Sequence, residues 1–93
     1  MTRVGIAGAG AWGLALALAA RRAGSEPVLW SRRGPFAAED LSVAGDPAVL
    51  GQVDMLLFVC SAQELHSVAA YLAPHLATDL PLAEHLTVRV AGE

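Results

Sequence analysis

Apolar and polar residues follow one another along the chain in blocks that predict strands and helices in turn. Short apolar runs next to glycine or proline, typical of buried parallel strands, cover residues 4–7 and 27–30. An Ala- and Leu-rich block over residues 11–23 predicts a helix, and Gly24 supplies its C-terminal stop. This order predicts two parallel strands joined by a right-handed helical crossover.

Weaker patterns in the middle of the chain predict shorter elements. Residues 34–40 are expected to form a turn-prone connection, and residues 41–44 a third strand. A brief helical segment is predicted over residues 46–51, because Asp46 can cap it and Pro47 suits its first position.

The last clear elements are a strand and an amphipathic helix. The apolar run over residues 53–59 is the strongest strand pattern in the chain. The helix predicted over residues 63–73 ends before Pro74 and has one apolar face, formed by Leu65, Val68, Ala69 and Leu72. Strands that alternate with helices predict an α/β fold with a doubly wound parallel sheet.

Composition limits the classes of protein that the chain can represent. Its 93 residues are 55% apolar and 16% charged, which predicts one small globular domain. A net charge of −3 gives no electrostatic reason to expect nucleic acid as a partner. All six basic residues are arginine, and lysine is absent from the sequence.

The apolar N-terminal stretch is not predicted to be a targeting or membrane segment. Residues 6–20 contain glycines at motif spacing, and two arginines follow the stretch instead of preceding it. A membrane span needs about 20 apolar residues, and Arg21 ends the run too early. The single cysteine, Cys60, cannot form an internal disulfide and fits a reducing compartment, so we expect a cytoplasmic protein.

A glycine-rich loop joins the first strand to the first helix and has the spacing of a dinucleotide-binding motif. Gly8 allows a tight turn, Gly10 lets the backbone approach a pyrophosphate, and Gly13 allows close packing of helix on strand. The free N–H groups and the dipole at the helix start favour the negative charge of a phosphate. The sequence therefore predicts a Rossmann-like NAD(P)-binding domain.

The end of the second strand bears on the choice of cofactor. An acidic residue there would bind the 2′-hydroxyl of NAD, but the sequence at residues 30–33 is WSRR. An arginine can pair with a 2′-phosphate, so we expect NADP(H) to be preferred over NAD(H), with Arg32 as the main contact and Arg33 beside it. The alternative is that two surface arginines simply end a strand.

The glycine loop and its surroundings resemble a known enzyme family. Residues 8–17 (GAGAWGLALA) closely resemble the start of the NAD(P)-dependent glycerol-3-phosphate dehydrogenases, and Trp12 is the most specific part of that resemblance. Residues 28–32 (VLWSR) are similar to the family's second strand. The similarity covers residues 2–80, and we therefore assign residues 1–80 to the NAD(P)-binding domain.

The resemblance implies reversible hydride transfer between dihydroxyacetone phosphate and sn-glycerol 3-phosphate, a step that supplies phospholipid precursors. It also implies a set of residues in contact with the dinucleotide, namely Gly8, Gly10, Ala11, Trp12, Gly13, Arg32 and Arg33. The phosphorylated substrates are expected as partners only of a full-length enzyme that also carries the family's helical second domain.

Departures from the family pattern limit what this chain is expected to do. The segment after the second strand is shortened to residues 34–39, and residues 81–93 diverge, with residues 86–90 as a candidate last strand. The family uses an Ala-Lys-Gly lysine and a general-base lysine, and neither has a counterpart in a chain without lysine. Dinucleotide binding is therefore predicted, and no catalytic residue is assigned.

Other interpretations stay open at this stage. The chain could be the cofactor domain of another two-domain reductase such as a ketopantoate reductase, a non-catalytic NADP(H)-binding module, or a gene remnant. Cys60 is expected to be a core or pocket-lining residue, and no metal site is expected from the spacing of His66, His75 and His85. An apolar surface that meets a second domain in the family predicts self-association.

Overall fold

The structure is a computed structural model and describes residues 2–76. Five strands, two α-helices and two 3-10 segments follow one another in that range. In chain order they are β1 (Arg3–Ala7), α1 (Ala11–Arg22), β2 (Glu26–Trp30), β3 (Phe36–Ala38), β4 (Leu41–Ala44), a 3-10 helix (Pro47–Gln52), β5 (Met55–Phe58), α2 (Ala62–Leu72) and a 3-10 turn (Ala73–His75). The predicted strand over 86–90 and the tail over 81–93 lie outside the described residues.

The strands form a mixed sheet in the order β3-β4-β2-β1-β5. β2 is the central strand and pairs in parallel with β4 and β1, and β1 pairs in parallel with β5. Because β1, β2 and β5 run in the same direction, their carboxyl ends and the loops that follow them meet at one edge of the sheet. The predicted α/β architecture is confirmed.

The outer strand β3 differs from the prediction of a simple connection over residues 34–40. It pairs antiparallel with β4, and Ala38 lies opposite Leu41 across a two-residue turn. The turn residues Glu39 and Asp40 have φ values of 55° and 62°, which suit the tight hairpin turns whose twist matches that of the strands. The sheet therefore has one antiparallel edge that the sequence pattern did not indicate.

Hydrophobic clusters cover both faces of the sheet. On one face α1 packs over a cluster that includes Ile6, Ala17 and Leu29. On the other face α2 and the first 3-10 helix pack over the larger cluster of Ala7, Trp30, Leu50, Val53, Leu56, Phe58, Val68 and Leu72. The apolar face predicted for the second helix is confirmed, since all four of its residues belong to this cluster or pack against it. Helices on both faces make the domain doubly wound.

Candidate functional site

The glycine loop turns sharply out of β1. The turn is possible because two of its residues are glycines, at positions where a side chain would not fit. Gly8 has φ +129°, and a Cβ there would collide with the carbonyl oxygen of Val59. A Cβ on Gly13 would collide in turn with the carbonyl oxygen of Gly8. The N–H of Gly8 also donates to the carbonyl of Trp30, at 2.9 Å. These contacts hold the start of α1 directly against the ends of three parallel strands.

Gly10 differs from the other two loop glycines, because nothing lies within 4 Å of the position where its Cβ would be. It is the N-cap of α1, with φ −75° and ψ −168°, and no side chain caps the helix start. The first turn of α1 also contains no acidic residue. A helix start with unsatisfied N–H groups and open space beside it is suited to an anion that approaches the backbone closely.

A cleft of about 490 Å³ opens in front of this helix start. It is bounded by the glycine loop on one side and by the carboxyl ends of β2 and β5 on the others. Its lining residues are Ala7, Gly8, Ala9, Gly10, Ala11, Trp12, Gly13, Trp30, Ser31, Arg32, Arg33, Phe36, Val59, Cys60, Ser61, Glu64 and Val68. All seven residues singled out from the sequence therefore lie around one cavity, of a size typical of small-molecule sites.

The two arginines after β2 line the cleft but are held differently. The Nη2 of Arg32 donates to the Oγ of Ser67 at 3.0 Å, and its Cζ lies 5.6 Å from the centre of the Tyr71 ring. The backbone N–H of Arg33 donates to the Oγ of Ser31 at 3.2 Å, which shapes the turn without engaging the guanidinium. The cleft wall therefore carries two cations, one of them anchored on α2.

Two further side chains in the cleft were not anticipated from the sequence. Phe36 lies on β3 and is exposed at the cleft wall, and the sequence pattern did not reveal β3 as a strand. Glu64 lies in the first turn of α2, where a carboxylate complements the helix dipole. Trp12 was anticipated, and its side chain is 46% exposed at the cleft. The cleft thus combines aromatic surface with charges of both signs.

Cys60 lines the cleft, as the sequence predicts. Burial raises the pKa of its thiol above the ordinary value of 9.0, and the Glu64 carboxylate raises that pKa further, while the Arg32 cation opposes the shift. The thiolate is the reactive form of cysteine, so a raised pKa leaves the thiol mostly protonated and weakly nucleophilic near neutral pH. The cleft therefore offers no activated cysteine nucleophile.

The described histidines lie away from any arrangement suited to a metal ion. His66 and His75 are exposed, and His85 lies outside the described residues. Within residues 2–76, no three His, Cys, Asp or Glu side chains come together in a way that could hold a metal. No helix in the same range combines the length and the apolar character needed to cross a membrane.

Comparison with known proteins adds an independent observation. No family model matches the chain. It is 40% identical over 100 residues to a glycerol-3-phosphate dehydrogenase [NAD(P)+] of Paramagnetospirillum magneticum, covering 87% of this chain and 36% of that protein. It is 35% identical over 96 residues to the enzyme of the same name from Bradyrhizobium diazoefficiens, covering 85% of this chain and 29% of the other. The chain thus spans about a third of the length of these relatives.

A solved structure has the same fold over most of the chain. It is a PanE/ApbA family ketopantoate reductase from Ralstonia eutropha JMP134, which superimposes with a TM-score of 0.73 at 26% sequence identity. The match covers 87% of this chain and 33% of the reductase chain.

Proposed function

Because this chain is related over most of its length to part of the NAD(P)-dependent glycerol-3-phosphate dehydrogenases, we propose that it is a cofactor-binding portion of such an enzyme. The observation that carries the proposal is the open, uncapped start of α1 at Gly10, facing the cleft. The residues present there fit a dinucleotide, since a pyrophosphate needs backbone N–H donors and no intervening side chain.

Each part of the cleft has a distinct role in this proposal. Gly8, Gly10 and Gly13 shape the loop whose N–H groups hold the pyrophosphate. Ala11 continues that surface into the first turn of α1, and Trp12 supplies an exposed indole against which the bound cofactor packs. The nicotinamide ring, when bound, donates or accepts the hydride, and this chain positions the cofactor that carries it.

We further propose that the cofactor preferred is NADP(H), with NAD(H) bound more weakly. Arg32 and Arg33 are exposed at the carboxyl end of β2, the place where dinucleotide-binding folds meet the adenosine ribose. Residues 30–33 include no carboxylate that would bind the ribose hydroxyls in place of a phosphate, and a guanidinium pairs well with a phosphate. Arg32 is the main contact in this arrangement and Arg33 its neighbour.

The reaction we assign to the complete enzyme is that of the related class, oxidation of sn-glycerol 3-phosphate to dihydroxyacetone phosphate with reduction of NAD(P)+. This chain contains no lysine. The chain therefore offers no lysine that could act as the general base for the alcohol proton. We expect the chain by itself to bind the dinucleotide without turning over dihydroxyacetone phosphate, and we propose the cytoplasm as its location.

The experiment that tests this function is a fluorescence titration of the chain with NADPH and NADH. Trp12 lines the cleft, so energy transfer from indole to nicotinamide reports binding directly. We expect saturable binding of both nucleotides, tighter for NADPH, and no loss of absorbance at 340 nm when dihydroxyacetone phosphate is added. Absence of saturable binding would refute the proposal, and measurable turnover would refute the part that denies catalysis to this chain.

A second candidate function is the cofactor domain of a ketopantoate reductase, favoured by the structural match to an enzyme of that name. The two candidates are separated by chimeras in which this chain replaces the corresponding segment of each relative. Reduction of dihydroxyacetone phosphate by the first chimera alone supports the dehydrogenase. Reduction of ketopantoate by the second alone supports the reductase.

A further inference from the structure

The side chain of Arg32 is anchored by a helix that follows it much later in the sequence. Its guanidinium donates to Ser67, which is 35 residues away along the chain, at 3.0 Å. The same guanidinium lies over the ring of Tyr71, with 5.6 Å between Cζ and the ring centre. This distance is within the range of a cation–π contact. Two different interactions therefore restrain one exposed cation at the wall of the cleft.

Ser67 and Tyr71 are one helical turn apart on α2 and so lie on the same side of that helix. Tyr71 is in turn stacked on Trp30, with ring centres 5.8 Å apart and planes inclined by 27°. The indole Nε1 of Trp30 donates to the carbonyl oxygen of Gly45 at 3.1 Å. Arg32 is thus connected through Tyr71 to the buried Trp30 at the end of β2.

The anchoring leaves most of the guanidinium available to a ligand. Arginine has five N–H donors in a rigid fork, and the bond to Ser67 uses one of them. The remaining donors lie in the plane of the guanidinium, along the edges through which arginine binds a phosphate by two parallel hydrogen bonds. A long side chain that is already ordered loses less rotamer freedom when it binds.

A carboxylate lies in the same cleft as Arg32. Glu64 lines the same cleft, one turn before Ser67 on α2. Glu64 and Arg32 act with opposite sign on the thiol of Cys60, so both charges lie near that sulfur. A mobile Arg32 would have the Glu64 carboxylate as an alternative to a phosphate group.

We propose that Ser67 and Tyr71 are positioning residues that hold Arg32 ready for a 2′-phosphate and thereby set the preference for NADP(H) over NAD(H). This inference rests on the proposed function, in which Arg32 is the main contact of the 2′-phosphate. Neither Ser67 nor Tyr71 lines the cleft, so both act on the ligand through Arg32.

The test is a comparison of dissociation constants for NADPH and NADH across four variants of the full chain. Ser67→Ala removes the hydrogen bond, Tyr71→Leu removes the ring face, and Tyr71→Phe keeps that face. Ser42→Ala, on the exposed side of β4 and away from the cleft, is the matched serine control. Alanine and leucine are strong helix formers, so neither substitution weakens α2 through helix propensity. Thermal unfolding of each variant verifies the fold.

We expect Ser67→Ala and Tyr71→Leu each to weaken NADPH binding by about threefold to tenfold and to leave NADH binding unchanged. Tyr71→Phe and Ser42→Ala should retain the affinities of the original chain for both nucleotides. A loss shared equally by NADPH and NADH would indicate a merely structural role for the pair and would overturn the inference. An unchanged preference for NADPH over NADH in both Ser67→Ala and Tyr71→Leu would overturn the inference as well.

Arg32→Ala separates failure of this inference from failure of the proposed function. If Arg32→Ala abolishes the preference while Ser67→Ala and Tyr71→Leu retain it, only the positioning role is wrong. If Arg32→Ala leaves the preference intact, the proposed 2′-phosphate contact is wrong and the positioning role fails with it. If the original chain binds neither nucleotide, both proposals are overturned.

Discussion

Gly34 and Gly45 lie with their backbones in direct contact. A Cβ built on Gly34 would be 2.5 Å from the carbonyl oxygen of Ala44, and one built on Gly45 would be 2.5 Å from the carbonyl oxygen of Gly34. The contact joins the turn after β2 to the end of β4. Because Arg32 and Arg33 come just before Gly34, this contact restrains the turn that carries both arginines.

Substitution of Gly45 by alanine is expected to destabilise the domain. The added methyl group would press on the backbone of Gly34, which cannot move aside as a flexible side chain would. Overpacking of this kind costs about 1–3 kcal/mol. Urea denaturation should show a lower midpoint for Gly45→Ala, and Gly10→Ala, with open space at its Cβ, serves as the control. Equal midpoints for the two variants would contradict the contact.

Substitution by alanine is expected to weaken nucleotide binding at Gly10 and to reduce the stability of the fold at Gly13. Gly10→Ala should lower the unfolding temperature far less than Gly13→Ala, because the backbone conformation and surroundings of Gly10 accept a Cβ and only the N-cap preference for glycine over alanine is lost. It should bind NADPH at least about tenfold more weakly, since the methyl group would occupy the space proposed for the pyrophosphate.

Gly13→Ala, by contrast, should lower the unfolding temperature, because its Cβ would collide with the backbone of Gly8. Calorimetry and NADPH titration on the same two samples measure both effects. Unimpaired binding by Gly10→Ala would argue against a pyrophosphate at the start of α1.

Cys60 is expected to react slowly with iodoacetamide at neutral pH. Burial, followed by the Glu64 charge, raises the pKa of its thiol above 9.0, so the reactive thiolate is scarce until the pH exceeds that value. The alkylation rate of the chain at pH 8 should lie below that of a cysteine peptide and should rise steeply through more alkaline pH. Bound NADPH should slow the reaction further, because Cys60 lines the cleft.

The charges near Cys60 allow that prediction to be tested with matched variants. Glu64→Gln removes the charge that raises the pKa of the thiol, so alkylation should accelerate. Arg32→Ala removes the charge that lowers the same pKa, so alkylation should slow. Rates that move together in the two variants would show that exposure, and not charge, controls the thiol.

Asp46 is expected to contribute to stability as a cap. Its Oδ1 accepts the backbone N–H of Ala48 at 3.0 Å, at the start of the 3-10 helix that carries the buried side chain of Leu50. Loss of a capping side chain costs about 0.5–2 kcal/mol. Urea denaturation should therefore show Asp46→Ala to be less stable than Asp46→Asn, which keeps an acceptor oxygen. Equal stability of the two would exclude capping as the role of Asp46.

Self-association is a further expectation that exposed apolar residues favour. Within residues 2–76, five large hydrophobic side chains are exposed, namely Trp12, Phe36, Val49, Met55 and Tyr71. Met55 lies on β5, which is an outer strand of the sheet among the described residues. Sedimentation velocity over a wide concentration range should show a rising mean mass, and a constant monomer mass would contradict this expectation.

The first β-α-β unit of the fold could be predicted closely from the sequence. The bounds expected for β1, α1 and β2 differ by one residue from those observed. Steric demands are local at this place, because the required turn at Gly8 and the helix packing at Gly13 leave direct traces in the sequence. The 3-10 helix after Asp46 was predictable for the same reason, since its cap and its proline are adjacent.

Strand β3 could not be predicted in this way. Its hairpin turn uses Glu39 and Asp40 in left-handed conformations, without the Asn-Gly or Asp-Gly pair that usually marks such turns. A three-residue strand such as Phe36–Ala38 also shows too little alternation to be recognised. As a consequence, the contribution of Phe36 to the cleft became apparent only from the fold.

The place of the site residues in the sheet could be predicted from the sequence, but the contacts between their side chains could not. Arg32 had to lie at the carboxyl edge of the sheet because it follows the second strand of a parallel unit. Its bond to Ser67 and its contact with Tyr71 depend on how α2 packs, and no local pattern encodes that distance. The same holds for the effect of Glu64 on Cys60.

If nucleotide binds at the uncapped start of α1 as proposed, it would also affect how long the protein survives in a cell. A bound pyrophosphate would complete a helix end that the chain leaves without a side-chain cap, so nucleotide would favour the native over the unfolded chain by mass action. Proteases act mainly on opened or unfolded molecules. The steady-state amount of this protein would then follow the size of the nucleotide pool, and starvation for the cofactor would shorten its lifetime.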